Sequence, residues 1–380
     1  MEHQTISIIG AGLAGLTAAI ALNNIGIKTQ VFEARKEIDS EGAGLGLGVN
    51  AIKAFEVLGI DLDVIQKGRI IPTFTVYDQF GKIITKTDFT QVSIIGNFAI
   101  HRSKLHQILL SKLDSSTIHF GKKVKSFETT DFAVKLIFED GSTYFSNYVI
   151  VADGLHSRMR QMLMPDSKIR YAGYSCWRAI VKNCSHGIDQ SFETWGSSGR
   201  VGIVPLLNND LYWFACINAT ESNLCLKSYQ VSDLHNHFKT YHSPIPNIIE
   251  QTNNTDIIYH DICDIEPLNQ FTFGRIVLIG DAAHASTPNM GQGACQAIED
   301  AVIIAQCLSQ DADYEQAFQT FEKLRLKRTT WITETSMKIG RIAQLENQHL
   351  IKLRNAVLRS MPESFGIHQL KKIEKVDFKM

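Results

Sequence analysis

The chain has 380 residues, 44% hydrophobic and 20% charged, with a formal net charge of −1. That composition suits a globular protein of one large or two interleaved domains. It offers no field of either sign to draw in nucleic acid or an anionic membrane.

The first predicted strand begins by Ile6 and leaves no room for a signal peptide. The absence of a run of about 18 apolar residues predicts no membrane-spanning helix and no stable membrane insertion. Seven scattered cysteines without a CxxC predict a reduced, cytoplasmic protein in which each thiol is a small buried hydrophobe. The lack of an HExxH or a Cys/His cluster predicts no metal.

Residues 6–9 read as a short buried strand, 13–25 as a compact helix, and Thr29 to Phe32 as a second strand. Between the first strand and the helix lies Gly10-Ala11-Gly12-Leu13-Ala14-Gly15. In a βαβ unit, Gly10 permits the tight turn and Gly12 lets backbone approach a pyrophosphate. Gly15 lets helix and strand pack closely, and the helix N-terminus presents free N–H groups to the phosphates. Glu33 ends the second strand, where its carboxylate can accept from a ribose diol and would repel a 2′-phosphate. The nucleotide is therefore FAD or NAD rather than NADP. An ordinary α/β turn without ligand is the bland alternative.

Two later segments narrow the choice. Tyr148 to Ala152 is a buried strand ending at Asp153-Gly154, followed by Ser157 and Arg158. Arg275 to Ile279 is another, ending at Gly280-Asp281, with His284 beyond. In open parallel sheets ligands collect at strand carboxyl ends, so both acids point to the crevice of the first glycine turn. The run Pro288 to Gly293 then opens a helix reaching about Leu308. Gly291, Gln292, Gly293 and Ala294 form a backbone surface on which a flat ring can lie, and the helix dipole can stabilise a reduced, anionic flavin.

Residues 70–96 and 171–266 alternate apolar and polar side chains and predict a sheet. Arg200–Val204 and Leu211–Ile217 form a hairpin across the turn signal Asn208-Asn209-Asp210. Arg178, Arg200 and Tyr212 stand out there, because a guanidinium at a ring's edge can bind a carboxylate, phenolate or carbonyl oxygen. For Arg200 a surface strand residue is an equal reading; for Arg178 and Tyr212 the alternative is a structural place in the sheet, because aromatic strands build cores by default. From 311 to 360 the chain turns helical, with Met337, Ile342, Leu345, Leu353, Val357 and Leu358 as candidates for an apolar stripe packed on the domains.

With these segments in this order, the chain resembles the single-component (class A) FAD-dependent aromatic hydroxylases built on the p-hydroxybenzoate hydroxylase fold. Within them it resembles a urate hydroxylase-like branch that shares the Arg200-to-Tyr212 spacing. The resemblance implies an α/β fold: a Rossmann-type FAD-binding domain (1–69, 97–170 and 267–310), an inserted antiparallel β-sheet substrate domain (70–96 and 171–266), and C-terminal helices (311–380). It implies that Ala34, Arg35 and Arg102 lie near FAD, and that Gly42 to Leu47, with Gly44 and Leu45, passes beside the flavin ring. It places Ala14 in the pyrophosphate turn, Asp153 and Gly154 on FAD, Gly280 and Asp281 at the ribityl–pyrophosphate region, and Pro288 near the reacting flavin carbon. Where that branch carries an acid before the Gly-Gln-Gly segment, this chain has Asn289, which cannot serve as a general base. That departure tells against urate itself.

The implied activity is an FAD-dependent monooxygenase. It uses NADH or NADPH as a transient reductant and O2 to hydroxylate a small aromatic or polycyclic substrate through a flavin C4a-hydroperoxide, with Arg200, Tyr212 and Pro288 as the catalytic candidates. An epoxidase or reductase is the alternative within flavoenzymes, and a flavin-binding redox sensor without turnover is the alternative of another class. A second GxGxxG and a CxxxxC, which a pyridine nucleotide–disulfide reductase needs, are absent from the sequence.

Overall fold

The computed structural model describes residues 5–37, 43–91, 97–184 and 186–378. Gly42 of the expected flavin-side segment lies outside them.

The first strand, Ile6–Ile9, is wholly buried and apolar but for Ser7, as a strand covered on both faces must be. It pairs in parallel with Thr29–Phe32 and with Tyr148–Val151, and the latter pairs in parallel with Ile276–Leu278. Ile118–His119 extends one edge, and Thr272–Phe273 closes the other antiparallel, giving a six-stranded sheet. The helices Leu13–Asn24 and Gly293–Gln310 share one core with it, including Leu16, Ala18, Ile298, Ala301 and Val302. An antiparallel meander, Val124–Thr129, Val134–Phe138 and Thr143–Ser146, forms the crossover into the Asp153 strand.

The second large sheet has seven strands. In order they are Ile258–Ile265, Ile169–Val181, Leu211–Asn218, Gly199–Pro205, Ser191–Gly196, Thr73–Asp78 and Ile83–Asp88. All neighbours are antiparallel except Ser191–Gly196 with Thr73–Asp78, which run parallel because the chain leaves and re-enters the sheet between them. The expected hairpin is present, and Asn208 and Asn209 turn it with φ of 59° and 60°, a region asparagine tolerates better than most residues.

Strand alternation gives this sheet two unlike faces. One buries Trp177, Ala179, Val201, Ile203, Trp213 and Ala215 against the helices Val231–Phe238 and Ile245–Glu250. Ile245, Ile248 and Ile249 are fully buried there, each worth roughly 1.5–3 kcal/mol. The other face carries Tyr174, Cys176, Arg178, Arg200, Gly202, Tyr212, Phe214 and Cys216, and points toward the first sheet's helices.

The C-terminal region is helical: Tyr314–Ala343, Gln348–Ser360 and Glu363–Glu374. Asp313 caps the 30-residue first helix, accepting from the amides of Glu315 and Gln316. The expected apolar stripe is not continuous. Met337 is buried and Leu358 packs beside Val76 and Trp195, whereas Ile342, Leu353 and Val357 are exposed. The inward side of Gln348–Ser360 is instead polar, with Arg354 and Asn355 buried. Arg354 reaches the carbonyls of Ile342 and Ala343 and lies over the Trp195 ring, so it fills the place an aliphatic side chain was expected to take.

All seven cysteines are free and five are buried; Cys225 is exposed and Cys263 intermediate. No helix among the described residues is long and apolar enough to cross a membrane.

Candidate active site

The glycine turn has the geometry its spacing demands. Gly10 has φ +102°, and a Cβ there would lie 2.5 Å from the Ala152 carbonyl oxygen. A Cβ on Gly15 would lie 1.9 Å from the Gly10 oxygen. At Gly12, by contrast, a Cβ would meet nothing within 4 Å, and no side chain caps the helix that begins there. The first N–H groups of that helix thus look into open space, the setting in which phosphate is bound. Glu33 is held to the turn: it accepts the amide of Ala11 at 2.7 Å and that of Arg35 at 2.9 Å, leaving each oxygen a free lone pair.

A cleft of about 420 Å³ opens here. It brings together Gly10, Gly12, Glu33, Ala34, Arg35, Arg102, Asp153 and Gly154 from four separate stretches of sequence. Asp153 accepts the Arg158 amide at 3.1 Å through one oxygen, while its other oxygen is buried without a partner. Burial pushes this carboxyl above its ordinary range, against the Ser157 hydroxyl, which favours the charged form. Sequence reasoning missed His106, which also lines the cleft. Its Nε2 lies 2.7 Å from the Ala11 oxygen, and its Nδ1 is buried and unpartnered. Burial holds its pKa below the usual value. Only its place three residues beyond Ser103 on the helix that starts at Arg102 could have signalled it.

The second part of the site grows from the Gly280 turn. A Cβ at Gly280 would come within 2.8 Å of the Ala14 methyl and 3.3 Å of that of Ala297, so this glycine lets the helices Leu13–Asn24 and Gly293–Gln310 close on the turn. Asp281 follows, exposed, with its Oδ1 3.9 Å from where a Gly293 Cβ would be. Pro288–Met290 form a short 3-10 turn, Gly291 takes φ +62°, and the helix proper begins at Gly293 rather than at Pro288. Pro288 and Gly291 are exposed, Gly293 and Ala294 intermediate. Gln292 is buried and serves another purpose: its side-chain oxygen accepts from Asn50 at 3.0 Å and Gln296 at 3.1 Å. The strand Gly44–Leu47 is thereby tied, through Gly48 and Asn50, to the flavin-side helix.

Beneath this lies a buried ionic cluster that sequence reasoning did not foresee. Arg325, fully buried, pairs with Glu299 and Asp300, each at 2.6 Å, and Arg328 binds Glu299 at 2.8 Å. Asp300 also accepts the Gly280 amide at 2.8 Å and faces His284 Nε2 at 2.6 Å. Although burial opposes their charge, Arg325 and its neighbours hold both carboxyls below the usual range. His284 thus has a structural place under the Gly280 turn, as its Ala-Ala-His setting suggested. The overlooked signal was an adjacent acid pair in a stretch otherwise apolar from Ala297 to Ala305.

The third part of the site is the open face of the seven-stranded sheet. Arg200 is not a surface residue; it is 2% exposed. It pairs with Glu193 at 3.1 Å, donates to the Tyr174 hydroxyl at 3.2 Å, stacks on that ring, and donates to the side-chain oxygen of Asn289. Asn289 also accepts from Tyr174 at 3.0 Å and donates to Thr287 Oγ1 and the Ser336 oxygen, both at 2.8 Å. Tyr212 sits on the same sheet face but four residues further along its strand, roughly 13 Å away at about 3.3 Å per residue. Its ring packs on Gly44, where a Cβ would lie 2.5 Å from the ring. Between Arg200 and Tyr212 lies Phe214, spread over Gly202, whose missing Cβ would come within 2.1 Å of the ring. The three catalytic candidates are therefore not one cluster: Arg200 adjoins Pro288 through Asn289, and Tyr212 adjoins the Gly44 segment.

Residues 2–335 match the family described as FAD binding domain. The chain belongs to that family. It is 35% identical over 362 residues to an aurachin C monooxygenase/isomerase of Stigmatella aurantiaca, covering 94% of each chain. It is 30% identical over 370 residues to a 2-heptyl-3-hydroxy-4(1H)-quinolone synthase of Pseudomonas aeruginosa, covering 95% of each. The structure of Klebsiella pneumoniae HpxO complexed with FAD and uric acid superposes with a TM-score of 0.90 at 27% identity, over 98% of this chain and 97% of that one. The protein is an FAD-dependent monooxygenase of the class A flavoprotein hydroxylases, an oxidoreductase that uses NADH or NADPH as reductant.

Proposed function

We propose that the protein hydroxylates a planar nitrogen heteroaromatic that carries an oxo group on its ring, of the 4(1H)-quinolone class. Asn289 carries this reading. Its amide oxygen is turned to Arg200 and Tyr174, and its Nδ2 is spent on Thr287 and Ser336. A group so held neither takes nor gives a proton, which suits a ring already electron-rich enough to be attacked and disfavours one that must first be deprotonated here. Phe214 on Gly202 supplies a flat apolar floor for such a ring, and two relatives carry aurachin or quinolone in their names.

Bound FAD supplies the redox chemistry, accepting reducing equivalents from NADH or NADPH and activating O2. The chain's part is to hold and enclose. In this reading Gly10, Gly12, Ala14 and Gly15 take the pyrophosphate, and Glu33, Ala34, Arg35 and Arg102 the adenosine end. Asp153, Gly154, Gly280 and Asp281 hold the ribityl and phosphate region. Gly44, Leu45, Pro288, Gly291, Gln292, Gly293 and Ala294 bracket the ring. Arg200 is held in place by Glu193, and it orients Asn289 and Tyr174 at one edge of the substrate. Tyr212 closes the opposite edge against Gly44. In this reading a bound substrate closes the space between the sheet and the Pro288 turn and keeps water from the flavin.

The test is oxidation of NADH and NADPH by the FAD-loaded protein with 2-heptyl-4(1H)-quinolone, uric acid and salicylate, following product mass. Stimulation by the quinolone alone, with a gain of one oxygen atom, is the expected result. Stimulation by uric acid would overturn the substrate class.

A further inference from the structure

The flavin-facing side of the seven-stranded sheet carries two arginines, and their surroundings differ. Arg200 is saturated by Glu193, Tyr174 and Asn289. Arg178, two strands away, shares that face: it stands directly opposite Phe214, which stands directly opposite Gly202. Among the described residues it has no carboxylate partner. The groups that act on it are the Cys176 and Cys216 thiols and the Tyr212 phenol. Nearby charge only sharpens the contrast. Tyr212 and His260 both feel Arg178 together with Arg102, so positive groups from two elements converge on one edge of the site.

A guanidinium cannot shed its proton. A partly buried one with no carboxylate beside it, facing only thiols and a phenol, is costly unless a ligand completes it. Its planar fork suits an oxygen in the plane of a ring lying on Phe214.

We infer that Arg178 is a further specificity-determining residue, which binds an oxo or enolate oxygen on the substrate ring and so fixes which ring carbon faces the flavin. This rests on the monooxygenase reading and deepens it. The ring would lie on Phe214, with its oxygen at Arg178 and its far edge toward Arg200 and Asn289. Selection would then come from an acceptor oxygen on the ring, beyond mere flatness. Among the described residues no hydrogen bond or ion pair joins Arg178 to a segment expected to hold FAD, so its loss should leave the cofactor in place.

The experiment titrates FAD-loaded wild type, Arg178→Lys and Arg178→Met with 2-heptyl-4(1H)-quinolone and with salicylate, reading the flavin absorbance change. It then measures KM, kcat and the hydroxylated product formed per NADH consumed. Arg178→Met should weaken probe binding roughly tenfold or more, the loss expected for a charge-assisted hydrogen bond. It should raise KM more than it lowers kcat and reduce product per NADH, with FAD content unchanged. Arg178→Lys should recover part of the affinity and less of the coupling, because it restores charge without the fork. If salicylate binds in an Arg178-dependent way and the quinolone does not, the quinolone assignment fails and the role of Arg178 stands. Equal binding and coupling in wild type and Arg178→Met would overturn the inference, as would a wild-type protein that binds neither probe.

Discussion

Arg200 and Asn289 meet across the two halves of the molecule: a strand of the seven-stranded sheet donates its guanidinium to the amide oxygen of the turn that leads into the flavin-side helix. That contact fixes the spacing between sheet and helix, and in the proposed reading the height of the substrate gap. A carboxylate in place of the amide would pair with Arg200 and compete with Glu193 for it. It could no longer donate to Thr287 and Ser336. Asn289→Asp should therefore lower turnover of a quinolone probe by about tenfold or more, with FAD retained, if loss of these hydrogen bonds costs the usual 1.5 kcal/mol or so. Steady-state kinetics beside the ratio of flavin to protein absorbance checks both.

Asp281 is exposed and forms no part of the buried ionic cluster beneath it. Its removal should cost the fold little, since surface changes away from such clusters are usually within about 0.5 kcal/mol. Asp281→Ala should instead strip FAD. The measurement is the ratio of flavin to protein absorbance after purification, beside the melting temperature of the apoprotein. Full occupancy would remove Asp281 from the cofactor site.

How much of this was legible in the sequence follows from what each feature depends on. Gly10, Gly15 and Glu33 act within some 25 residues of one another, and their spacing is local geometry, so the turn could be read directly. The Asn208-Asn209 hairpin is local in the same sense. The Arg200–Asn289 contact joins residues 89 apart and exists only because the sheet folds over the helix. It left no spacing to read, and Arg200 could pass for a surface residue. Gln292 looked like part of a ring-binding loop, yet its side chain turns inward to Asn50. The backbone role and the side-chain role of that residue are separate, and glycine neighbours signal only the first. The C-terminal apolar positions misled because Arg354 and Asn355 hold the inward side through hydrogen bonds rather than burial of aliphatic surface.

Arg325 is the keystone of the cluster under the Gly280 turn. Arg325→Met would leave Glu299 and Asp300 buried with only Arg328 and His284 to compensate. Breaking a buried pair in this way costs about 3–5 kcal/mol. Urea denaturation should show that loss, and FAD affinity should fall with it, because Asp300 also anchors the Gly280 amide. The loss should itself depend on pH. Glu299 and Asp300 have depressed pKa values, so their stabilisation is fully present above the unfolded carboxylate range near 4 and disappears as pH falls through their folded values. The gap between wild type and Arg325→Met should be wide at pH 7 and narrow as the solution is acidified below about 4.

Asp153 should respond with the opposite sign. Burial raises its folded pKa, and one of its oxygens lacks a partner. A carboxyl whose folded value lies above its unfolded one favours the protonated form in the native state. Above its unfolded value it destabilises the apoprotein; that penalty shrinks as pH falls through the folded value and is gone below the unfolded one. Asp153→Asn keeps the shape and removes the charge, so the apoprotein should melt higher than wild type at pH 7, with the difference closing as the pH approaches about 4. FAD affinity should move the other way, since the amide offers one acceptor where the carboxylate offers two. A stabilised apoprotein with weakened flavin binding is the signature of a group strained for its ligand. A destabilised one would mean that Asp153 serves the Ser157–Arg158 turn instead, through the hydrogen bond it accepts from the Arg158 amide.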